Sequence, residues 1–239
     1  MKILIVGYGK MGKEIEKYAL AHNIPIYGIL DKNDPWPSTV DDDVVAIEFT
    51  EPSSAIQNIK KCITMGLPVV CGTTGWYDQL DEVKNFCLSH GGKVIYGSNF
   101  SPGVNALFLL TKYAANLFSS LPNYDVKIEE THHITKKDKP SGTAITLAKQ
   151  ILPFYDPLLQ DWSLTPKERH LWIEAFRKDQ EIGMHKIIFK SPFDSMTIEH
   201  QAFSREGFAQ GAFDAAKWIL HHKGFFHFLD IFEDIYTKQ

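Results

Sequence analysis

No apolar run in this 239-residue sequence approaches the roughly 20 residues needed to span a bilayer, so no membrane partner is expected. The opening run Ile3-Leu4-Ile5-Val6 looks like a strand and lacks a signal-peptide layout, which makes the cytoplasm the expected compartment. Positive charge is not in excess. Lysine and arginine number 25 against 29 acids, a formal charge of −4, so the electrostatic footprint of a nucleic-acid binder is missing. Cysteine is scarce as well: Cys62, Cys71 and Cys87 are odd in number and none stands in CxxC or CxxxC spacing. That argues against a disulfide framework or a zinc knuckle and for reduced, mostly buried thiols. Internal repeats and low-complexity segments are absent too. The sequence does have a 44% hydrophobic content, enough for one large core or two small ones.

The first hundred residues repeat one rhythm of short apolar run, amphipathic stretch and turn. The runs are 3–6, 24–30, 44–49, 68–71 and 93–96; residues 10–22, 52–65 and 78–89 between them have helical periodicity. Runs without polar alternation suit strands covered on both faces, which predicts a Rossmann-like, doubly wound parallel sheet in an α/β protein. The rhythm then changes. Ser101-Pro102 opens a long helical pattern to Phe118, with serine placed as N-cap. Residues 126–132 alternate as a strand, with Val126, Ile128 and Glu130 on one side. A helix over 141–151 follows. Residues 152–170, with three prolines, suggest a loop with short helical turns, and 186–190 and 197–203 suggest a hairpin. An apolar stripe from Phe208 to Leu220 and an aromatic tail, 225–236, both look helical. The expected organisation is a dinucleotide-binding domain, 1–100, completed by C-terminal helices in 205–239, with an inserted α+β substrate-binding and oligomerisation domain, 101–204.

Gly7-Tyr8-Gly9-Lys10-Met11-Gly12 fits G-x-G-x-x-G between the first strand and first helix. Gly7 permits the tight turn, Gly9 lets backbone approach a pyrophosphate, and Gly12 lets helix and strand pack closely. The helix start, at Lys10 and Met11, offers unpaired N–H groups to the anion. Asp31 follows the second strand 19 residues after Gly12, where a ribose-binding acid is expected, and favours NADH; adjacent Lys32 offers a countercharge for NADPH. Gly72-Thr73-Thr74-Gly75 leaves the fourth strand where its backbone and hydroxyls can border the nicotinamide end. An ordinary strand-exit turn is the competing reading.

The densest chemistry lies in Glu130-Thr131-His132-His133-Ile134-Thr135-Lys136-Lys137-Asp138-Lys139-Pro140-Ser141-Gly142-Thr143. The amides and hydroxyls of Ser141, Gly142 and Thr143 at a helix start make an anion site, and Lys136 adds a positive charge. A histidine titrating near neutral pH can donate a proton as a hydride arrives. Such a loop suits a carboxylated imine or enamine. Adjacent strand histidines face opposite ways, so one of His132 and His133 is structural. A metal held by either with His185 and His200 lacks the HxH or HExxH spacing, and no metal is expected.

These motifs resemble those of the 4-hydroxy-tetrahydrodipicolinate reductases, also called dihydrodipicolinate reductases. The matching pieces are Gly7–Gly12 with Met11, Glu48-Phe49-Thr50, Gly72–Gly75, Asn99-Phe100-Ser101 with Gly103-Val104-Asn105, and above all Glu130-x-His132-His133-x-x-Lys136-x-Asp138-x-Pro140-Ser141-Gly142-Thr143. Ile198-Glu199-His200 and Ser204-Arg205 through Gly211-Ala212 also match. The sequence departs from the pattern over 152–182, where the usual arginine-glycine pair reads Phe176-Arg177-Lys178-Asp179-Gln180-Glu181.

The resemblance implies that His132 donates the proton and that Lys136 holds or polarises the substrate. It implies that His133, Lys136, Ser141, Gly142 and Thr143 grip its carboxylates, and that Gly72, Thr74, Ser98, Asn99 and Phe100 lie near the nicotinamide. The implied reaction reduces 4-hydroxy-tetrahydrodipicolinate, after loss of water, to tetrahydrodipicolinate with NADH or NADPH, in a homotetramer built through the sheets of the second domain. His132 is expected to be protonated. Two other readings share the coenzyme domain: a dehydrogenase of another small carbonyl or imine, and a dinucleotide-sensing protein that reduces nothing.

Overall fold

A computed structural model describes residues 1–237, and the last two residues of the segment expected to end at 239 lie outside them. In chain order the elements are β1 (Lys2–Val6), α1 (Lys10–Ala21), β2 (Ile26–Leu30), β3 (Val44–Glu48), α2 (Pro52–Thr64), β4 (Val69–Cys71), α3 (Leu80–Ser89) and β5 (Lys93–Tyr96). They continue with α4 (Pro102–Phe118), β6 (Asp125–His132), α5 (Gly142–Tyr155), β7 (Asp161–Ser163), β8 (His170–Arg177) and β9 (Gly183–Lys190). Last come β10 (Ser195–Ala202), α6 (Glu206–Ile219), β11 (Gly224–His227) and α7 (Phe232–Tyr236). Two compact units result, one formed by Met1–Pro102 with the chain from Arg205 on, the other by Gly103–Ser204.

The first unit is a six-stranded parallel sheet in the order β11-β5-β4-β3-β1-β2. Residues 3–6, 44–47 and 69–71 are all buried, as expected for strands covered on both faces. Ile15 of α1 and Ile59 of α2 are fully buried, each stabilising the fold by about 1.5–3 kcal/mol. Strand order reverses between β1 and β3, which opens a crevice at the carboxyl ends of these strands. The aromatic tail is corrected here. Phe225 and Phe226 lie in the sixth strand, paired with β5, and only a short 3-10 turn and α7 are helical. Four residues of strand are too few for their periodicity to differ from a helix turn.

The second unit is a five-stranded mixed sheet in the order β10-β9-β6-β8-β7. Strand β6 alternates as its sequence requires: Val126, Ile128, Glu130 and His132 are buried, and the residues between them are not. The stretch 152–170 is more regular than expected, because α5 runs through Pro153 to Tyr155 and β7 follows. Strand β8 was not foreseen; its alternation of Leu171 and Ile173 with Trp172 and Glu174 sits among charged flanks that read as loop. The hairpin strands begin earlier than expected, at Gly183 and Ser195. No helix among the described residues is long and apolar enough to cross a membrane. All three cysteines are buried and free.

Candidate active site

In the first unit two adjoining cavities of about 510 and 300 Å³ open at the carboxyl edge of the sheet. The larger is bordered by Gly7, Gly9, Asp31, Lys32 and Trp36, the smaller by Gly9, Lys10, Met11, Gly72, Thr73 and Thr74. The glycines have the expected reasons. Gly7 has φ +94° and a Cβ there would meet the Phe49 carbonyl oxygen at 2.2 Å, and one on Gly12 would meet the Gly7 carbonyl oxygen at 2.1 Å. A Cβ on Gly9 would meet nothing within 4 Å, leaving a cradle open to a phosphate beside the start of α1. Asp31 and Lys32 are exposed at the rim, so neither charge is pre-empted by the core.

Thr73 is buried and its hydroxyl accepts from the Thr50 amide at 2.7 Å, so it shapes the loop. The Phe100 ring lies in the core between Phe49 and Phe228. Ser98 is exposed, and Asn99 accepts from the Ser101 amide. Glu48, quoted from the sequence only as part of a matching motif, is a fully buried carboxylate at the end of β3 that accepts from Thr50, from Asn58 at 3.2 Å and from the Cys71 thiol at 3.0 Å. It fixes Thr50 and Asn58, which border the larger cavity.

In the second unit the site is organised around Glu130, which is fully buried and must therefore be paired. Both its oxygens accept the Ser141 amide at 3.1 Å, and one accepts Arg177 Nη1 at 3.3 Å. The other lies 3.5 Å from His132 Nδ1 and 3.7 Å from His185 Nε2. Ser141 caps α5, its hydroxyl accepting from the Ala144 amide at 3.1 Å and contacting His185 Nε2 at 3.1 Å. The expected anion site is therefore smaller by one amide, since Ser141 is consumed by Glu130. Gly142 and Thr143, in the first turn where helical amides lack intrahelical acceptors, remain at the surface.

Lys136 bonds Asp138 through its ammonium at 2.7–2.9 Å; desolvation pushes the Asp138 carboxyl up, but the Lys136 ammonium, a backbone hydrogen bond and His132 together hold it below its usual range. His133 sits across the strand from His132, with Nδ1 2.8 Å from the Thr135 hydroxyl. Lys137 and Lys139 are exposed. Without substrate the surroundings of His132 work against the protonated form: burial lowers its pKa, Lys136 and Arg177 push the same way, and Glu130 and Asp138 only partly oppose them. Burial pushes His185 down to about 3.

The ligand atoms of Glu130, His132 and His185 lie within 4.8 Å of one another, the one such cluster among the described residues. Within it Glu130 accepts from Ser141 and Arg177, whereas His132 Nδ1 and His185 Nδ1 are buried without a hydrogen-bond partner. Sequence reasoning weighed His185 only as a metal ligand and gave Arg177 no role; in the structure a Cβ on Gly183, two residues before His185, would crowd His132 at 3.1 Å. A separate cavity of about 600 Å³ at the other end of this sheet, bordered by Tyr155 and Trp172, contains none of the expected site residues.

The dihydrodipicolinate reductase N-terminus description matches residues 1–100 and the C-terminus description residues 103–232. A 4-hydroxy-tetrahydrodipicolinate reductase of Christiangramia forsetii is 39% identical over the whole of both chains. One from Desulfovibrio desulfuricans is 32% identical over 92% of this chain and 94% of that one. Among solved structures, a dipicolinate-bound dihydrodipicolinate reductase from Paenisporosarcina shares the fold, with TM-score 0.76 and 22% identity over 97% of this chain and 99% of that one.

Proposed function

The chain belongs to the dihydrodipicolinate reductase family, and from that membership we propose how its own residues carry out the reaction. The protein is an NAD(P)H-dependent oxidoreductase that reduces 4-hydroxy-tetrahydrodipicolinate in lysine and diaminopimelate biosynthesis.

The first unit binds the coenzyme. Gly7, Gly9, Lys10, Met11 and Gly12 receive the pyrophosphate, Asp31 and Lys32 the ribose, and Gly72, Thr74 and the 98–100 backbone the nicotinamide end; the open cradle at Gly9 supports this fit. When bound, the reduced nicotinamide supplies the hydride. The second unit binds the dicarboxylate. Gly142 and Thr143 amides, the Thr143 hydroxyl, His133 and Lys136 take its carboxylates, with Ser141 holding the helix start in place.

Lys136 exchanges Asp138 for the substrate and polarises the acceptor, and His132 delivers the proton that accompanies the hydride. His132 is neutral at rest because burial disfavours its charge. Two arriving carboxylates raise its proton affinity, so the imidazole takes up its proton together with the substrate. The observation that carries this reading is the convergence of His132 and the start of α5 on one buried carboxylate, with Lys136 close enough to His132 to act on its charge. Calorimetry of pyridine-2,6-dicarboxylate binding in two buffers of different ionisation enthalpy tests it. Proton uptake by the wild type that disappears in His132→Asn is expected, and uptake unchanged by the substitution removes His132 from the role.

We further propose a homotetramer joined through the outer sheet face of the second unit, where Trp172, Phe176 and Ile188 are not covered by helices. A cytoplasmic location belongs to the same reading and agrees with three free, buried thiols. Sedimentation at micromolar concentration showing only monomer would remove the tetramer.

A further inference from the structure

We propose that Arg177 is the positioning residue for Lys136, gripping the loop that carries it and tying that loop to the carboxylate that orders the start of α5. This rests on the substrate-binding role assigned to Lys136 above. Arg177 ends β8, is paired in register with His132 of β6, and is mostly buried. Its guanidinium reaches four acceptors. Nε donates to the Lys136 carbonyl at 3.3 Å and Nη2 to the Asp138 carbonyl, while Nη1 donates to the Phe176 carbonyl at 2.7 Å and to Glu130 at 3.3 Å.

The consequences converge on the lysine. Its backbone is held by Arg177, and its ammonium is held by the carboxylate of Asp138, whose own backbone Arg177 also holds. Glu130 extends the same grip to α5 through the Ser141 amide. One planar cation thus fixes both ends of the 136–141 segment, so that ammonium and helix start keep one spacing for the two carboxylates of a substrate. Only a guanidinium suits this task. Its five donors point along several fixed directions, whereas a lysine ammonium concentrates three at a single atom and cannot bridge strand, loop and carboxylate together.

A purely structural arginine would stabilise the unit without governing turnover, so the test separates the two. In the full-length protein, Arg177→Lys keeps a charge beside Glu130 and loses the fork. With enzymatically generated 4-hydroxy-tetrahydrodipicolinate, kcat/KM is expected to fall about 100-fold, the cost of a small misplacement of a reacting group, while NADH affinity stays unchanged. Arg177→Met, more at risk of misfolding because it strands a buried carboxylate, adds a pH readout. His132 faces Glu130 on its own strand, Lys136 and Asp138 on the loop, Arg177 on β8 and His185 on β9. Removing one cation from that set lets His132 keep its proton to higher pH, so the alkaline limb of the rate profile, where the proton donor is lost, moves up in the methionine variant and not in the lysine variant.

Combining Arg177→Lys with Glu130→Gln is expected to cost little more than the worse single change, as for residues acting through one network. Turnover of Arg177→Lys within about twofold of wild type, or a loss matched by weakened NADH binding, overturns the inference alone. A wild-type chain that turns over normally after Lys136→Ala overturns the role of Lys136 and this inference together.

Discussion

Around Gly7–Gly12 the molecule offers a ligand open space and backbone amides, whereas around Glu130 it offers charges kept largely out of water. The first arrangement costs little to keep: within Gly7–Gly12 itself no charged group is buried, Glu48 behind it is satisfied by Thr50, Asn58 and Cys71, and Asp31 and Lys32 stay solvated until the ligand arrives. The second is held together by reciprocity. Glu130 is tolerated because Ser141 and Arg177 pair with it, and His132 and His185 are tolerated because they remain neutral. A site made of space fails by being filled; a site made of buried charge fails by losing a partner or gaining a proton.

The largest effect expected from that contrast lies in the second unit. His132→Ala removes the proton donor and should lower kcat by about 10²–10⁴ while the dissociation constant for NADH, measured by fluorescence, stays that of the wild type. A parallel loss of NADH affinity would mean that the two halves are not separable as described.

Next in size is the reciprocal change. Gly7→Ala places a methyl group against the Phe49 carbonyl at a φ of +94°, which should destabilise the first unit by about 1–3 kcal/mol and weaken NADH, with pyridine-2,6-dicarboxylate binding retained. Chemical denaturation and calorimetry on one preparation decide it.

The third prediction concerns pH. For His185 the folded-state pKa is depressed from 6.5 to about 3, so the unfolded chain binds the proton first as pH falls. Stability from this group is fully present above about 6.5 and is lost progressively as pH drops toward about 3. His132 and His200 act in the same direction. Thermal midpoints across this window should fall less steeply in His185→Gln than in the wild type, and equal slopes would show that this imidazole is not held neutral.

The smallest effect is at the rim of the first unit. Asp31→Asn removes the carboxylate that repels a 2′-phosphate and should raise the kcat/KM for NADPH relative to NADH by about tenfold. An unchanged ratio would move cofactor choice to other residues of the cavity.

The same contrast explains what could be read from the amino-acid order. The roles proposed for Gly7, Gly9, Gly12 and Asp31 rest on local geometry, so their spacing was enough to suggest them before any fold was known. The Glu130 to Ser141 stretch was legible for the same reason. The parts played by Arg177 and His185 were not, because these residues enter the site through strand register, opposite His132 and Glu130, and β8 was hidden by the charged residues around it. Burial, which decides the protonation of His132, is also a property of the packed sheet and cannot be read from an isolated His-His pair. The coordinates corrected the tail at 225–236, where short-range periodicity could not outweigh pairing with β5.

The central claim is that the charge cluster on the second unit binds and turns over a dicarboxylate, and Lys136→Ala tests it most directly. Oxidation of NADH with enzymatically generated 4-hydroxy-tetrahydrodipicolinate should be inhibited by pyridine-2,6-dicarboxylate in the wild type, and at least about 100-fold slower in the variant at an unchanged NADH dissociation constant. Wild-type turnover and inhibition in the variant would contradict the account.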